Sequence, residues 1–159
     1  MKNIIEEFYD AFYNLDADRM VKCYHKDIIF EDPAFGILKG EKAKNMWRMI
    51  CNSQKGKGFK ITYNVQPFEL NNAKAYWEAF YTFSQTGRKV HNIISASFVL
   101  KDGLIIKHTD NFNLHKWAKQ ALGLKGFLLG KTKFFKKKLN QQTNKLLNEY
   151  EMNYAQQCI

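Results

Sequence analysis

The feature that most constrains this chain is a change of hydrophobic period near residue 59. From there, apolar and polar residues alternate through four stretches, Lys60–Leu70, Ala73–Gln85, Lys89–Leu100 and Leu104–Leu114. A period of two places alternate side chains on opposite faces of a strand. The connections carry Asn71-Asn72, Thr86-Gly87 and Asp102-Gly103. Residues of this kind accept the positive φ that tight hairpin turns need. Hairpins between successive strands make a sheet antiparallel.

The first third of the chain has helical periodicity instead. Ile4, Ile5, Phe8, Phe12 and Leu15 recur at helical spacing, with Glu6, Glu7, Asp10 and Asn14 on the other side. Asp16 is placed to cap a second helix that runs through Met20, Val21 and Tyr24. Ile28 to Pro33 reads as a short strand that the proline ends, and Gly36 and Gly40 bracket a loop. A third helix is expected from Glu41 to Cys51, with Ala43, Met46, Trp47 and Ile50 on one face. A polar linker follows over Ser53–Gly58. Three helices, then four hairpin-linked strands, with the early strand added at an edge, predict an α+β fold.

Beyond Leu114 the chain reads as a short helix (His115–Gly123), a glycine-punctuated apolar segment and a basic helix. In that last helix Phe135, Leu139, Leu146 and Tyr150 fall near one stripe. The division expected is a core domain over residues 1–114 and a helical extension over 115–159. At 159 residues, 45% of them hydrophobic, the chain suffices for one packed core. No apolar run reaches the roughly 18 residues of a membrane-spanning helix. The opening residues carry acids where a signal peptide carries positive charge, so a cytoplasmic location is expected. Cys23, Cys51 and Cys158 are odd in number and lack metal-ligand spacing, so they read as free thiols.

The net charge of +10 is unevenly placed. Residues 1–110 hold 16 Lys/Arg and 13 Asp/Glu; residues 111–159 hold nine Lys and two Glu. No acid lies between Asp110 and Glu149. The basicity therefore belongs to the C-terminal segment.

Alternation sorts the strand residues by face. Trp77, Ala79, Tyr81 and Phe83 lie together, as do Asn92, Ile94, Ala96 and Phe98. In the last strand Ile106, His108, Asp110 and Phe112 are expected on one face. The wholly apolar Trp77 face should meet the helices. The mixed faces should meet solvent or a second copy.

Residues Ile4–Gly36, with Glu31-Asp32-Pro33 at the end of the early strand, resemble the opening of the SnoaL-like and ketosteroid-isomerase-like proteins of the NTF2-like superfamily. Gly87-Arg88-Lys89, Asp102-Gly103 and His108–Phe112 fall where that family's sheet needs them. The resemblance implies a cone-shaped sheet closed by helices, a ligand cavity inside it and frequent homodimers. It implies no single activity, since members include isomerases, polyketide cyclases, epoxide hydrolases and binding modules.

The isomerase pattern needs a carboxylate base plus a Tyr and a protonated Asp as donors to the enolate oxygen; ketosteroid isomerase is the standard example. By this resemblance the base matches Asp32, but the Tyr position falls on Phe8 and the acid position on Ala96. Neither can donate a hydrogen bond. Tyr9 is adjacent, but roughly 100° round the helix. The cyclase pattern puts an acid/base carboxylate near the end of the last long strand, matching Asp110, with His108 on the same face. The epoxide-hydrolase Asp-Arg-Asp arrangement finds no match, because Arg88 sits at a turn and Arg19 and Arg48 on helices.

The catalytic candidates are therefore Asp32, Asp110 and His108. Phe8, Phe12, Tyr24, Trp47, Trp77, Tyr81, Asn92 and Phe112 are the candidate pocket wall for a small hydrophobic, carbonyl-bearing ligand. Structural roles stand beside these. Asp32 can simply accept backbone hydrogen bonds at the strand end, Asp110 can pair with a Lys or His, and His108 can be a satisfied core histidine. No metal site or cofactor motif is apparent. The expected partners are the ligand and a second copy docked through the outer sheet face. The basic tail reads as a solvated helix over the cone, or as an element lying on an anionic membrane through Phe127, Leu128, Leu129, Phe134 and Phe135. Nucleic acid fits least, since the tail holds no Arg.

Overall fold

The structure is a computed structural model that describes residues 3–67 and 69–157, with no side-chain account beyond residue 154. Cys158, one of the expected free thiols, lies outside the described residues. Helices α1 (Ile4–Tyr13), α2 (Ala17–Lys22) and α3 (Glu41–Gln54) precede or interrupt a six-stranded sheet. Its strands are β1 (Tyr24–Asp32), β2 (Gly36–Lys39), β3 (Lys60–Val65), β4 (Asn72–Phe83), β5 (Arg88–Lys101) and β6 (Leu104–Asn111). Helices α4 (Leu114–Leu122), α5 (Leu124–Leu129) and α6 (Lys133–Gln157) follow.

Local chemistry explains the helix starts. The Asn3 side chain accepts from the Ile5 and Glu6 amides at 3.0 and 2.9 Å, and Glu6 bonds back to the Asn3 amide. This capping box satisfies amides that the first helical turn leaves unpaired. Asp16 caps α2 through the Arg19 amide at 3.1 Å. α1 buries Ile5, Phe8 and Phe12 of its expected apolar face together with Tyr9 and Ala11, while Ile4 and Leu15 are half-buried.

The sheet runs β2-β1-β6-β5-β4-β3. Two expectations are corrected here. The early strand is not at an edge: β1 pairs parallel with β6 on one side and antiparallel with β2 on the other. The segment bracketed by Gly36 and Gly40 is not a loop but the edge strand β2, in register Asp32↔Gly36 to Ile29↔Lys39. Gly36, at φ +74°, lets the chain reverse that tightly after Pro33.

All three later strand connections are antiparallel, as their sequences predict. At β5–β6, Asp102 and Gly103 both take positive φ, +52° and +76°, as a two-residue type I′ turn requires. At β3–β4 the turn closes between Glu69 and Asn72, one residue earlier than Asn71-Asn72 suggests, and Leu70 carries the positive φ.

A bulge between Val99 and Leu100 alters the face of β6. Lys107 pairs with Val99 but Ile105 pairs with Leu100, so one residue of β6 is extra. Ile105 is therefore the core residue and Ile106 is not, reversing the expectation from strict alternation. His108 and Asp110, beyond the bulge, keep the inner face.

The C-terminal segment folds back onto this body. Leu147 of α6 is fully buried in the same core as Phe8 and Trp47. Asn140 donates to the Pro33 and Ala34 carbonyls, Thr143 to Ala34 and Asn144 to Phe35. Where β6 ends, the Gln120 side chain of α4 takes the place of a neighbouring strand for His91. It accepts from the His91 amide at 2.8 Å and donates to its carbonyl at 3.0 Å. No described helix is long and apolar enough to cross a membrane.

Candidate functional site

A cavity of about 690 Å³ lies against the concave face of the sheet. Phe12 of α1, Trp47 of α3, Trp77 and Tyr81 of β4, Asn92 of β5 and Phe112 after β6 all line it. Both carboxylates, Asp32 at the end of β1 and Asp110 on β6, line it too. α6 supplies the remaining side, including Phe135, Leu139, Leu146 and Tyr150. The apolar stripe on α6 was visible in the sequence; its destination was not.

Three expected site residues do not reach the cavity. Phe8 and His108 are 0% exposed and Tyr24 is 3% exposed, and none lines the wall. Trp47 stands in front of them: its ring stacks over His108 at 6.0 Å and meets Phe8 edge-on at 5.4 Å. Phe8 in turn stacks on Tyr24 at 5.3 Å. Facing inward on a helix or strand thus put these residues in the core, one layer behind the wall.

His108 nevertheless connects to the site. The Trp47 Nε1–H donates to the Tyr24 hydroxyl oxygen at 2.7 Å. Tyr24 lies 2.7 Å from His108 Nδ1, and His108 Nε2 lies 3.0 Å from Asp110 Oδ1. An indole N–H can only donate. Tyr24 therefore gives its own hydrogen to Nδ1, and Nε2–H is left to donate to Asp110. This tautomer, assigned from the bonding network, satisfies every member. Trp77 Nε1 also donates to Asp110 Oδ1, at 3.3 Å. Asp110 is thus held by a histidine and a tryptophan, with the histidine positioned from behind.

Asp32 is held differently. Its Oδ1 accepts from the Ala34 and Phe35 amides at 3.0 and 2.6 Å, the structural role open to a carboxylate at a strand end. It has a second property. Packing round the carboxyl pushes its pKa up to about 7, with the Asp110 charge adding to the rise and the two backbone bonds opposing it. Part of the residue's surface stays exposed, at the turn, so the rise reflects the protein mass around the carboxyl rather than complete enclosure. Near neutrality this group can exist in either protonation state.

Among the other polar residues of the wall, Tyr81 and Asn92 stand on the sheet side. Tyr81 accepts from Trp117 Nε1 at 2.7 Å, which leaves its own hydrogen for another acceptor. Asn92 lines the wall with an amide that can donate or accept. Tyr9, set aside on geometric grounds, is 1% exposed, and its hydroxyl has no partner among the described residues. Burial, then the Asp110 charge, raises its pKa well above the usual phenol value. It lies in the core and not in the cavity wall.

The arginines are engaged elsewhere. Arg19 pairs with Glu7 and Asp10, Arg48 with Glu41, and Arg88 bonds the Gln120 carbonyl. None of the three lines the cavity. No group of three or more His, Cys, Asp or Glu among the described residues is placed to hold a metal ion.

The model of the SnoaL-like domain matches residues 5–108. The chain belongs to this family. Its SnoaL-like fold is shared by a candidate polyketide cyclase from Silicibacter sp. TM1040, at 22% identity and TM-score 0.61, over 74% of this chain and 92% of that one. A candidate isomerase from Bacillus subtilis is similar at 17% identity and TM-score 0.60, over 76% and 90%. An LEH-like epoxide hydrolase from M. tuberculosis is similar at 17% identity and TM-score 0.56, over 79% and 92%. At such identities the likeness is one of fold. No curated protein matches the chain. The SnoaL-like match ends at His108, so α4, α5 and α6 all lie beyond it.

Proposed function

We propose that this SnoaL-like protein binds a small hydrophobic, carbonyl-bearing ligand in the cone cavity and moves a proton on it. The observation that carries this reading is the pairing of Asp32, pushed up to about 7, with Asp110 in one aromatic wall. A volume of about 690 Å³ suits a ligand of polyketide, terpenoid or steroid size. The similar structures described as a cyclase and an isomerase support acid/base chemistry of this kind.

In this reading the ionised Asp32 removes a proton from the carbon next to the ligand carbonyl. The electron pair moves onto the carbonyl oxygen, and Tyr81 or Asn92 donates a hydrogen bond to that oxygen. Asp32 then returns the proton. Phe8 and Ala96 supply no donor, which separates this site from the ketosteroid-isomerase arrangement. The engagement of all three arginines away from the cavity argues against epoxide opening by an Asp-Arg-Asp set.

Proton exchange tests this directly. With 2-decalone in D₂O, the protein should speed deuterium incorporation beside the carbonyl, and the rate should rise with pH through about 7 as Asp32 ionises. Asp32→Asn should lower that rate by about 10²–10⁴-fold, the usual scale for a positioned general base. Binding, read from tryptophan fluorescence, should survive, since Trp47, Trp77 and Trp117 line the cavity. No binding by wild type, or exchange unchanged by Asp32→Asn, overturns the reading.

A second reading concerns assembly. The outer face of β4 and β5 exposes Tyr76, Phe80, Ile93 and Val99 together. We propose that a second copy covers this strip.

A further inference from the structure

Helix α5 is packed inside out. Its buried residue is Gly126, while Leu124, Phe127, Leu128 and Leu129 are 72, 50, 66 and 48% exposed. The close approach to α4 enforces this. A Cβ on Gly126 would stand 1.9 Å from the Ala118 carbonyl oxygen, so only glycine fits against that helix. The four large apolar side chains are thereby turned outward. Phe134, at the start of α6, adds a fifth at 64% exposure. Clustered exposed apolar residues of this size mark an interaction site.

The charge around the patch identifies its partner. Lys119 Nζ lies 5.5 Å from the centroid of the Phe127 ring, and Lys138 Nζ lies 5.8 Å from that of Phe134. Each aromatic of the patch therefore already carries an ammonium group. Lys125, Lys131 and Lys133 are exposed in and between the two helices. No acid occurs from residue 111 to residue 148. Beside the patch, Arg88 and Lys119 share a groove of about 400 Å³ with Gly123, Leu124 and Phe127. The Arg88 guanidinium is held there by its bond to the Gln120 carbonyl at 2.8 Å.

We infer that α5 and the start of α6 form a docking face for an anionic lipid bilayer. The apolar side chains enter the acyl boundary, the lysines meet the headgroup charge, and the Arg88–Lys119 groove receives a lipid phosphate. Apolar insertion combined with cationic flanks is the chemistry such surfaces select. Phe135 is not part of this face, because it turns inward and lines the cavity. The face therefore lies directly beside one wall of the cavity. This inference does not rest on the proton chemistry proposed above, and it would stand if that chemistry failed.

Vesicle co-sedimentation with the full chain tests it. Vesicles of phosphatidylcholine containing phosphatidylserine should bind the protein at least about tenfold more tightly than phosphatidylcholine alone, and added salt should weaken binding. Leu128→Ser with Phe134→Ser should reduce binding by about tenfold or more, and so should Lys131→Glu with Lys133→Glu. All four positions are exposed, so circular dichroism should be unchanged in both double variants. Equal binding to neutral vesicles overturns the inference, as does binding by wild type to neither kind. A Leu128/Phe134 variant that changes only self-association in sedimentation, with vesicle binding intact, also overturns it and assigns the patch to a second copy.

Discussion

At the scale of single residues, Asp32 joins the stability of this protein to its proposed chemistry. An aspartate has a pKa of about 3.9 in an unfolded chain, whereas here the carboxyl is pushed up to about 7. The folded state thus holds this proton more tightly than the unfolded state. The sign follows: the contribution is fully present below about pH 4, falls away as pH rises towards 7, and is constant above. Asp32→Asn keeps an Oδ1 to accept from the Ala34 and Phe35 amides and removes the charge. The variant should exceed wild type in stability by up to about 4 kcal/mol near pH 8 and by almost nothing near pH 4. Urea unfolding at the two pH values measures this, and an equal difference at both would refute it. Asp110 presents a contrast. It is equally part of the wall, but side chains hold it where backbone amides hold Asp32: His108 and Trp77 both donate to it.

At the scale of elements, the turn between β1 and β2 is gripped from both sides. Its amides bond Asp32, and its carbonyls accept from Asn140, Thr143 and Asn144 of α6. The C-terminal helix thereby fixes the loop that positions the candidate acid/base. Asn140→Ala removes the bonds to Pro33 and Ala34 and should cost about 1–2 kcal/mol of stability. Hydrogen exchange should quicken at the Ala34 and Phe35 amides, with the β4–β5 ladder unaffected. A uniform change across the chain would instead indicate a general loss of packing. A single-residue bulge is a comparable small feature with a large effect. It brings Ile105 rather than Ile106 into the core, yet leaves His108 and Asp110 facing inward.

At the scale of the whole molecule, the two faces of the sheet have separate fates. The inner face meets the helices and bounds the cavity; the outer face leaves Ile93 48% and Tyr76 56% exposed. If a second copy covers the outer strip, Ile93→Lys should weaken self-association at least about tenfold, since it places a charge in an apolar contact. Sedimentation equilibrium gives the answer, and a wild type that remains monomeric at high concentration removes the dimer. The bilayer face on α5 is remote in sequence from this strip and is tested independently. Most of the architecture was legible because it follows from local rules. Period two with Asp-Gly and Thr-Gly turns specified the hairpins, and Asn3 and Asp16 specified helix starts. The sites of error share a cause. β2 is four residues long, too short for its period to register, and the parallel β1/β6 pairing depends on partners far apart in sequence.

The sequence by itself determined the longer elements, the face that β4 and β5 turn inward and the concentration of positive charge in the last third of the chain. These depend on side-chain period and composition, which need no knowledge of neighbours. Only the tertiary structure decided depth. Phe8, Tyr24 and His108 face inward as their spacing requires, but Trp47 covers them, while Phe12, Trp77 and Asp110 reach the cavity. Tertiary packing also set the fate of the C-terminal segment, turning Phe135 and Leu139 into the cavity and Phe134 and Leu128 out to solvent. Periodicity specifies direction along one element. The distance from a side chain to an empty space is fixed by what other elements place in between.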